Sequence, residues 1–117
     1  MARVVALVPD LMFGSRLVSV LEAAGHEVTL TPQEDEARTE IEFADLLIVD
    51  LTSDALDGVT LVDSMLAGGE LQGRRTLGFY AHVEPEVRER AEQAGFDLVV
   101  PRSRLNREGA ALVEGLL

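Results

Sequence analysis

Five short apolar runs, each followed by a segment with helical spacing, constrain the fold of this chain more than any other feature. The runs are Arg3–Val8, Glu27–Leu30, Leu46–Val49, Thr76–Tyr80 and Leu98–Val100. Strands that alternate with helices join in parallel and are covered by helices on both faces. A continuous apolar run such as LLIV at 46–49 is typical of a strand buried on both faces. The pattern predicts a doubly wound α/β domain, with a five-stranded parallel sheet between two helical layers.

The segments between the runs carry helix signals. Asp10 is placed to cap a first helix that ends at Gly25, and Pro85 suits the first position of a later helix, where its missing N–H costs nothing. The expected buried faces are Leu17, Val20, Leu21 and Ala24 in the first helix, Ala37 and Ile41 in the acidic segment 33–42, and Val87, Ala91 and Ala94 in the helix from Pro85. Two further helices are predicted, at Val59–Ala67 and at Gly109–Leu117.

Length, charge and cysteine content exclude several classes of function. At 117 residues, 47% of them apolar, the chain is expected to form a single domain over residues 1–117 with its own core. A formal net charge of −11 disfavours nucleic acid and anionic membranes as partners. The absence of cysteine excludes disulfides and thiolate chemistry. With no signal peptide and no apolar stretch long enough to span a bilayer, we expect a cytoplasmic protein.

Asp50 closes the most apolar run, yet the chain contains no lysine. All ten basic residues are arginine. In the order LLIVD-LTSDALDG, the Asp at the end of the run is followed seven and eight residues later by Asp57-Gly58. The segment EQAGFDLVVPR at 92–102 adds a helix end, a short strand and a proline turn.

In their order and spacing these motifs resemble the receiver domain of bacterial response regulators. The resemblance covers nearly the whole chain and implies the CheY-like, flavodoxin-like fold, with strand order 2-1-3-4-5 and three layers. It implies that Asp50 is the phosphoacceptor. The family's acidic pair after the first strand is represented by Pro9-Asp10, so one acid is missing. The family's lysine aligns with Pro101 or Arg102, its switch hydroxyl with Tyr80 or Ala81, and its switch aromatic with Leu98.

The resemblance also implies which residues could bind Mg²⁺ and which could bind a phosphoryl group. Mg²⁺ prefers a near-octahedral oxygen shell, for which Asp10, Asp50 and the backbone carbonyl of Thr52 are candidate ligands. Mg²⁺ is thus possible but not required. Arg102 or Arg104 is a candidate substitute for the missing lysine, because guanidinium binds phosphate well. In the alternative interpretations Asp10 only caps the first helix, and Asp50 is a solvent-facing loop residue.

A second group of polar residues is expected at the same edge of the sheet. Met12, Phe13, Gly14 and Ser15 are interpreted as the first strand-to-helix loop, where Gly14, Ser15 and free amides would hold an anion, or where Met12 and Phe13 pack over the sheet edge or a partner. His82 follows the fourth strand at the edge where α/β domains bind ligands, although a surface or capping role is commoner. His26 lies at the opposite edge and is explained by a helix-to-strand turn.

Three functions remain open, and none of them is enzymatic, since no complete set of catalytic groups can be assembled. The leading hypothesis is a stand-alone pseudo-receiver that signals through protein–protein contact. Its expected contact surface, which would also form a homodimer, includes Val87–Ala94 and Leu105–Leu117, whose apolar end AALVEGLL would need a partner or a groove. The second is a genuine phosphoacceptor at Asp50. The third is a flavodoxin-like domain that binds a small ligand or cofactor beside Gly14, Ser15, Tyr80 and His82.

Overall fold

The computed structural model describes residues 2–81 and 85–117. In these residues five parallel strands form one sheet in the order β2-β1-β3-β4-β5. The strands are β1 Arg3–Leu7, β2 Glu27–Thr31, β3 Leu46–Asp50, β4 Arg75–Tyr80 and β5 Leu98–Pro101. The helices are α1 Leu11–Ala23, α2 Glu34–Glu40, α3 Gly58–Ala67, α4 Pro85–Ala94 and α5 Arg102–Leu116, and a single 3₁₀ turn covers Ile41–Phe43. The fold predicted from the sequence is confirmed.

Helices cover both faces of the sheet and divide the core into two clusters. On one face, Phe13, Leu17 and Leu21 of α1 pack with the buried residues of α5. The other face is covered by α2, α3 and α4, and the predicted inward residues Ala37 and Ile41 are both fully buried there. In the predicted stripe of α4 only Ala91 is buried, whereas Val87 and Ala94 are half-buried. The short α4 therefore covers the sheet less completely than expected.

The last helix begins seven residues earlier than predicted, at Arg102 rather than Gly109. Pro101 supplies the extended residue before its first turn, and Leu105, Gly109, Leu112 and Val113 form its buried face. A Cβ placed on Gly109 would lie 3.6–3.9 Å from side chains of α1, which is ordinary van der Waals contact. Gly109 therefore lies inside the helix, against α1, and does not mark a helix end. At Glu108 the backbone leaves helical geometry (φ −120°, ψ 17°), which kinks the helix.

The apolar end of α5 contributes to the chain's own core. Leu112 and Val113 are buried against the sheet, and only Leu117 is a strongly exposed large residue in this segment. The expectation that AALVEGLL needs a partner or a groove does not hold for Leu112 and Val113, because both are already buried in the chain's own core.

Candidate functional site

Asp50 lies at the carboxyl end of the central strand β3, and its residue is 8% exposed. Its Oδ1 accepts hydrogen bonds from the Thr52 amide at 3.0 Å and from the Thr52 hydroxyl at 3.5 Å. Burial raises the pKa of the Asp50 carboxyl, although the amides of Thr52 and Ser53 act in the opposite direction. The interpretation of Asp50 as a solvent-facing loop residue was wrong, since the residue ends a buried strand.

Asp10 begins α1 and has both carboxylate oxygens engaged. Oδ1 accepts from the amides of Met12 at 3.0 Å and Phe13 at 3.2 Å, which makes Asp10 the N-cap that the sequence predicts. Oδ2 accepts from Nη2 of Arg102 at 3.0 Å. The hydrogen bond from the Phe13 amide, and then the Arg102 guanidinium, hold the pKa of the Asp10 carboxyl below its usual range.

Arg102 places a positive charge at this edge of the sheet. Besides its ion pair with Asp10, its guanidinium carbon lies 4.4 Å from the centroid of the Phe13 ring. The Phe13 ring is buried and in turn contacts Phe79 with a centroid distance of 4.9 Å. The guanidinium also attracts Asp50 electrostatically. An arginine is therefore fixed between two helices, beside the two carboxylates that sequence analysis assigned to a metal.

Thr52 connects Asp50 to the end of β4 through a contact that sequence reasoning missed. Its hydroxyl accepts a hydrogen bond from the Ala81 amide at 2.9 Å while lying near Asp50 Oδ1. Only the backbone carbonyl of Thr52 was considered from the sequence. A hydroxyl two residues after a strand-ending Asp is a local signal that was available, but its partner 29 residues away was not.

The carboxylates do not form a ready site for Mg²⁺. In residues 2–81 and 85–117 no group of three His, Cys, Asp or Glu side chains is placed to hold a metal ion. Asp10 is shared between a helix cap and Arg102, so a divalent cation beside it must displace the guanidinium or share its carboxylate. A hydrated Mg²⁺ at Asp10 would therefore compete with the Arg102 guanidinium for Oδ2.

The remaining predicted positions are only partly brought together. Arg104 pairs with Glu108 on its own helix at 3.5 Å, and contributes nothing to the Asp10–Arg102 pair. Tyr80 is buried at the end of β4, Ala81 is exposed just after it, and Leu98 is half-buried in β5. His82 lies outside the described residues.

The interpretation of residues 12–15 as a loop was wrong, because they belong to the first turns of α1. The Gly14 amide already donates to the Asp10 carbonyl at 2.9 Å and is not free for an anion. A Cβ at Gly14 would lie 2.8 Å from Leu30 Cδ1, so the glycine serves packing between α1 and β2. Phe13 packs over the sheet as expected, whereas Met12 is 77% exposed.

His26 is also a buried polar residue, at the opposite edge of the sheet. Its Nδ1 accepts a hydrogen bond from the Ala2 amide at 3.0 Å, and its buried Nε2 has no hydrogen-bond partner among the described residues. The carboxylate of Glu114 lies 3.9 Å from Nε2. His26 therefore does more than occupy a turn, since it links the start of β1 to the turn before β2.

Comparison with known proteins supports the fold. No family model matches the sequence, and no curated protein matches it. A putative response regulator from Chloroflexus aurantiacus is 21% identical, with a TM-score of 0.87 over 98% of this chain and 96% of the other. The receiver domain of Francisella response regulator 1452 is 18% identical, with a TM-score of 0.86 over 99% and 96%. Chemotaxis protein CheY4 of Vibrio cholerae is 18% identical, with a TM-score of 0.86 over 100% and 99%.

In the part of the chain that the structure describes, no helix has the length and apolar character needed to cross a membrane. The sheet order, the two helical layers and these neighbours together define the architecture. The chain has the CheY-like, flavodoxin-like fold of response-regulator receiver domains.

Proposed function

We propose that this chain is an atypical receiver that signals through protein–protein contact and does not depend on phosphorylation of Asp50. In this proposal Arg102 takes the place of a metal ion beside Asp10 and Asp50. The proposal assigns the chain no catalytic activity and no required cofactor. A protein is the expected partner, because a net charge of −11 repels nucleic acid and anionic membranes.

The contact between Arg102 and Asp10 carries the proposal. Phosphoryl transfer to a carboxylate needs positive charge placed on the transferred oxygens. Among the described residues, the positive charge that acts on Asp50 is the Arg102 guanidinium, which is already paired with Asp10 at 3.0 Å and lies 4.4 Å from the Phe13 ring centroid. Burial also raises the pKa of the Asp50 carboxyl, so the charged form that acts as the nucleophile is less favoured there than in water. Both features oppose phosphorylation.

The proposal is tested by incubating the protein with acetyl phosphate and Mg²⁺ and measuring its intact mass. An ordinary receiver is labelled in parallel as a positive control. We expect no phosphoryl adduct on the wild type. Arg102→Lys is the matched variant, because it keeps the charge but removes the guanidinium whose Nη2 donates to Asp10. An adduct on the wild type that is absent from Asp50→Asn would refute the proposal.

That refuting outcome would support a second function, the genuine phosphoacceptor. It is favoured by the position of Asp50 at the end of β3 and by the Thr52 hydroxyl, which joins it to the end of β4. In this case Arg102 must leave Asp10 when Mg²⁺ enters. Saturable amide shifts around Asp10 and Asp50 on adding Mg²⁺ and beryllofluoride would accompany the adduct.

The surface formed by α4, β5 and α5 is the proposed contact face. Its exposed side chains alternate in charge: Arg88 pairs with Glu92 at 3.7 Å, and Arg104 pairs with Glu108 at 3.5 Å. Such exposed pairs contribute little to stability and are available to exchange partners at an interface. We propose a homodimer through this face. A light-scattering mass that stays monomeric at all concentrations would contradict it.

A further inference from the structure

A cavity between the first turns of α1 and α5 has the composition of an anion site. It has a volume of about 310 Å³, at the lower end of the range for small-molecule sites. Its lining includes Phe13 and Arg16 from α1, and Arg102, Ser103 and Asn106 from α5. Ala81 and Pro101, at the ends of β4 and β5, are the other described residues that line it.

The charge of this cavity is opposite to the charge of the protein. The chain has 21 acidic and 10 basic residues, yet the described residues that line the cavity include two arginines and no acid. Arg16 is exposed and forms no ion pair within residues 2–81 and 85–117. Arg102 is paired with Asp10 through Nη2, and no other hydrogen bond of its guanidinium is seen among the described residues.

The spacing of the lining residues along each helix places their side chains on the face that borders the cavity. Phe13 and Arg16 are three residues apart on α1, and Arg102 and Asn106 are four apart on α5, so each pair shares a helix face. The Arg102 guanidinium carbon lies 4.4 Å from the Phe13 ring centroid, so a cation–π contact helps to hold the guanidinium over this ring. Ser103 and Asn106 add a hydroxyl and an amide donor. Pro101, the N-cap residue of α5, makes no side-chain cap, so first-turn amides of this helix add further donors.

We propose that this cavity binds a small phosphate compound, held between Arg16 and Arg102. Guanidinium groups form paired hydrogen bonds with phosphate oxygens, and two of them match a group with at least two negative charges. The proposal is independent of the proposed function, because it needs neither Mg²⁺ nor a reaction at Asp50. It also assigns a function to Arg16, which takes no part in the Asp10–Arg102 ion pair.

Calorimetric titration with inorganic pyrophosphate, in buffer free of Mg²⁺, tests the proposal. Salt of about 0.15 M screens the long-range repulsion by the acidic surface. We expect saturable binding with a dissociation constant below about 1 mM. Arg16→Gln and Arg102→Gln should each weaken binding at least about tenfold, since each removes hydrogen bonds between charged groups.

Arg104→Gln is the matched control, because it removes the same charge from the exposed side of the same helix, where Arg104 pairs with Glu108. It should change the affinity by less than about twofold, since the remaining effect is a screened charge. If Arg102→Gln fails to fold, the affinity of Arg16→Gln for pyrophosphate tests the proposal. Arg16 is exposed, so its substitution should leave the fold intact. No saturation up to about 10 mM pyrophosphate, or an equal loss in Arg104→Gln and Arg16→Gln, would overturn the proposal.

Discussion

We predict that position 58 must be a glycine because there is no room for a larger side chain, and not because of its backbone conformation. It is the first residue of α3, and its φ angle is not among the positive ones. A Cβ placed there would lie 2.4 Å from Val49 Cγ1 and 3.1 Å from the Asp50 carbonyl oxygen. Val49 is fully buried and β-branched, so it has little freedom to rotate away. The α3 helix can therefore press against the end of β3 only through a glycine.

The expected cost of Gly58→Ala follows from these contacts. Overpacking of a buried site costs about 1–3 kcal/mol, and the better helix propensity of alanine returns up to about 1 kcal/mol. We expect a net loss of about 1–2 kcal/mol in the free energy of unfolding. In urea unfolding followed by circular dichroism, the midpoint should fall by about 0.5–1 M with an unchanged slope.

Gly115→Ala is the matched control for this prediction. Gly115 also lies in a helix, but nothing is within 4 Å of a Cβ placed there. The control should be as stable as the wild type or gain up to about 1 kcal/mol. If Gly58→Ala matches the wild type to within about 0.5 kcal/mol, the close contact with Val49 does not constrain α3 and the reasoning fails.

Three further substitutions test the electrostatics and hydrogen bonding of the structure. Asp50→Asn should stabilise the protein at neutral pH, because burial raises the pKa of the Asp50 carboxyl and its charged form is costly in the folded state. That gain should vanish in unfolding curves below the ordinary Asp pKa of about 3.9, and a gain independent of pH would contradict burial as its cause. Asp57→Ala should lose about 1 kcal/mol, because Asp57 caps α3 through the Thr60 amide at 3.1 Å. Hydrogen bonds from Thr60 lower the pKa of Asp57, so this loss should shrink in acid as the wild-type carboxyl is protonated; a constant loss would point to another cause. His26→Phe should lose about 1–3 kcal/mol in urea unfolding, because it leaves the buried Ala2 amide without an acceptor; unchanged stability would show that this hydrogen bond does not stabilise the start of β1.

The sheet was predictable because its signals are local. Each strand is a run of apolar residues, and the helix caps and stops lie next to the elements that they bound, as at Asp10 and Gly25. The start of α5 was missed because a glycine was taken as the boundary of a helix. Gly109 belongs to the buried face together with Leu105 and Leu112, at helical spacing, but its purpose depends on the distance to α1.

The candidate site was predictable in position but not in its contacts. Asp10, Asp50 and Arg102 follow strands that end at the same edge of a parallel sheet, so sequence analysis brought them together. The pairing of Arg102 with Asp10 spans 92 residues and depends on the first turn of α5, which was predicted as a turn without helix. The buried environment of His26 was missed for the same reason, since Glu114 and Ala2 reach it from distant parts of the chain.

The kink at Glu108 divides the last helix into two segments that are both anchored in the core. Leu105 is buried before the kink, and Leu112 and Val113 are buried beyond it. The first segment also carries Arg102, whose guanidinium is paired with Asp10 at the start of α1. A change in direction at a single residue therefore lets one helix bury two apolar stretches while its first turn stays close enough to α1 for this ion pair.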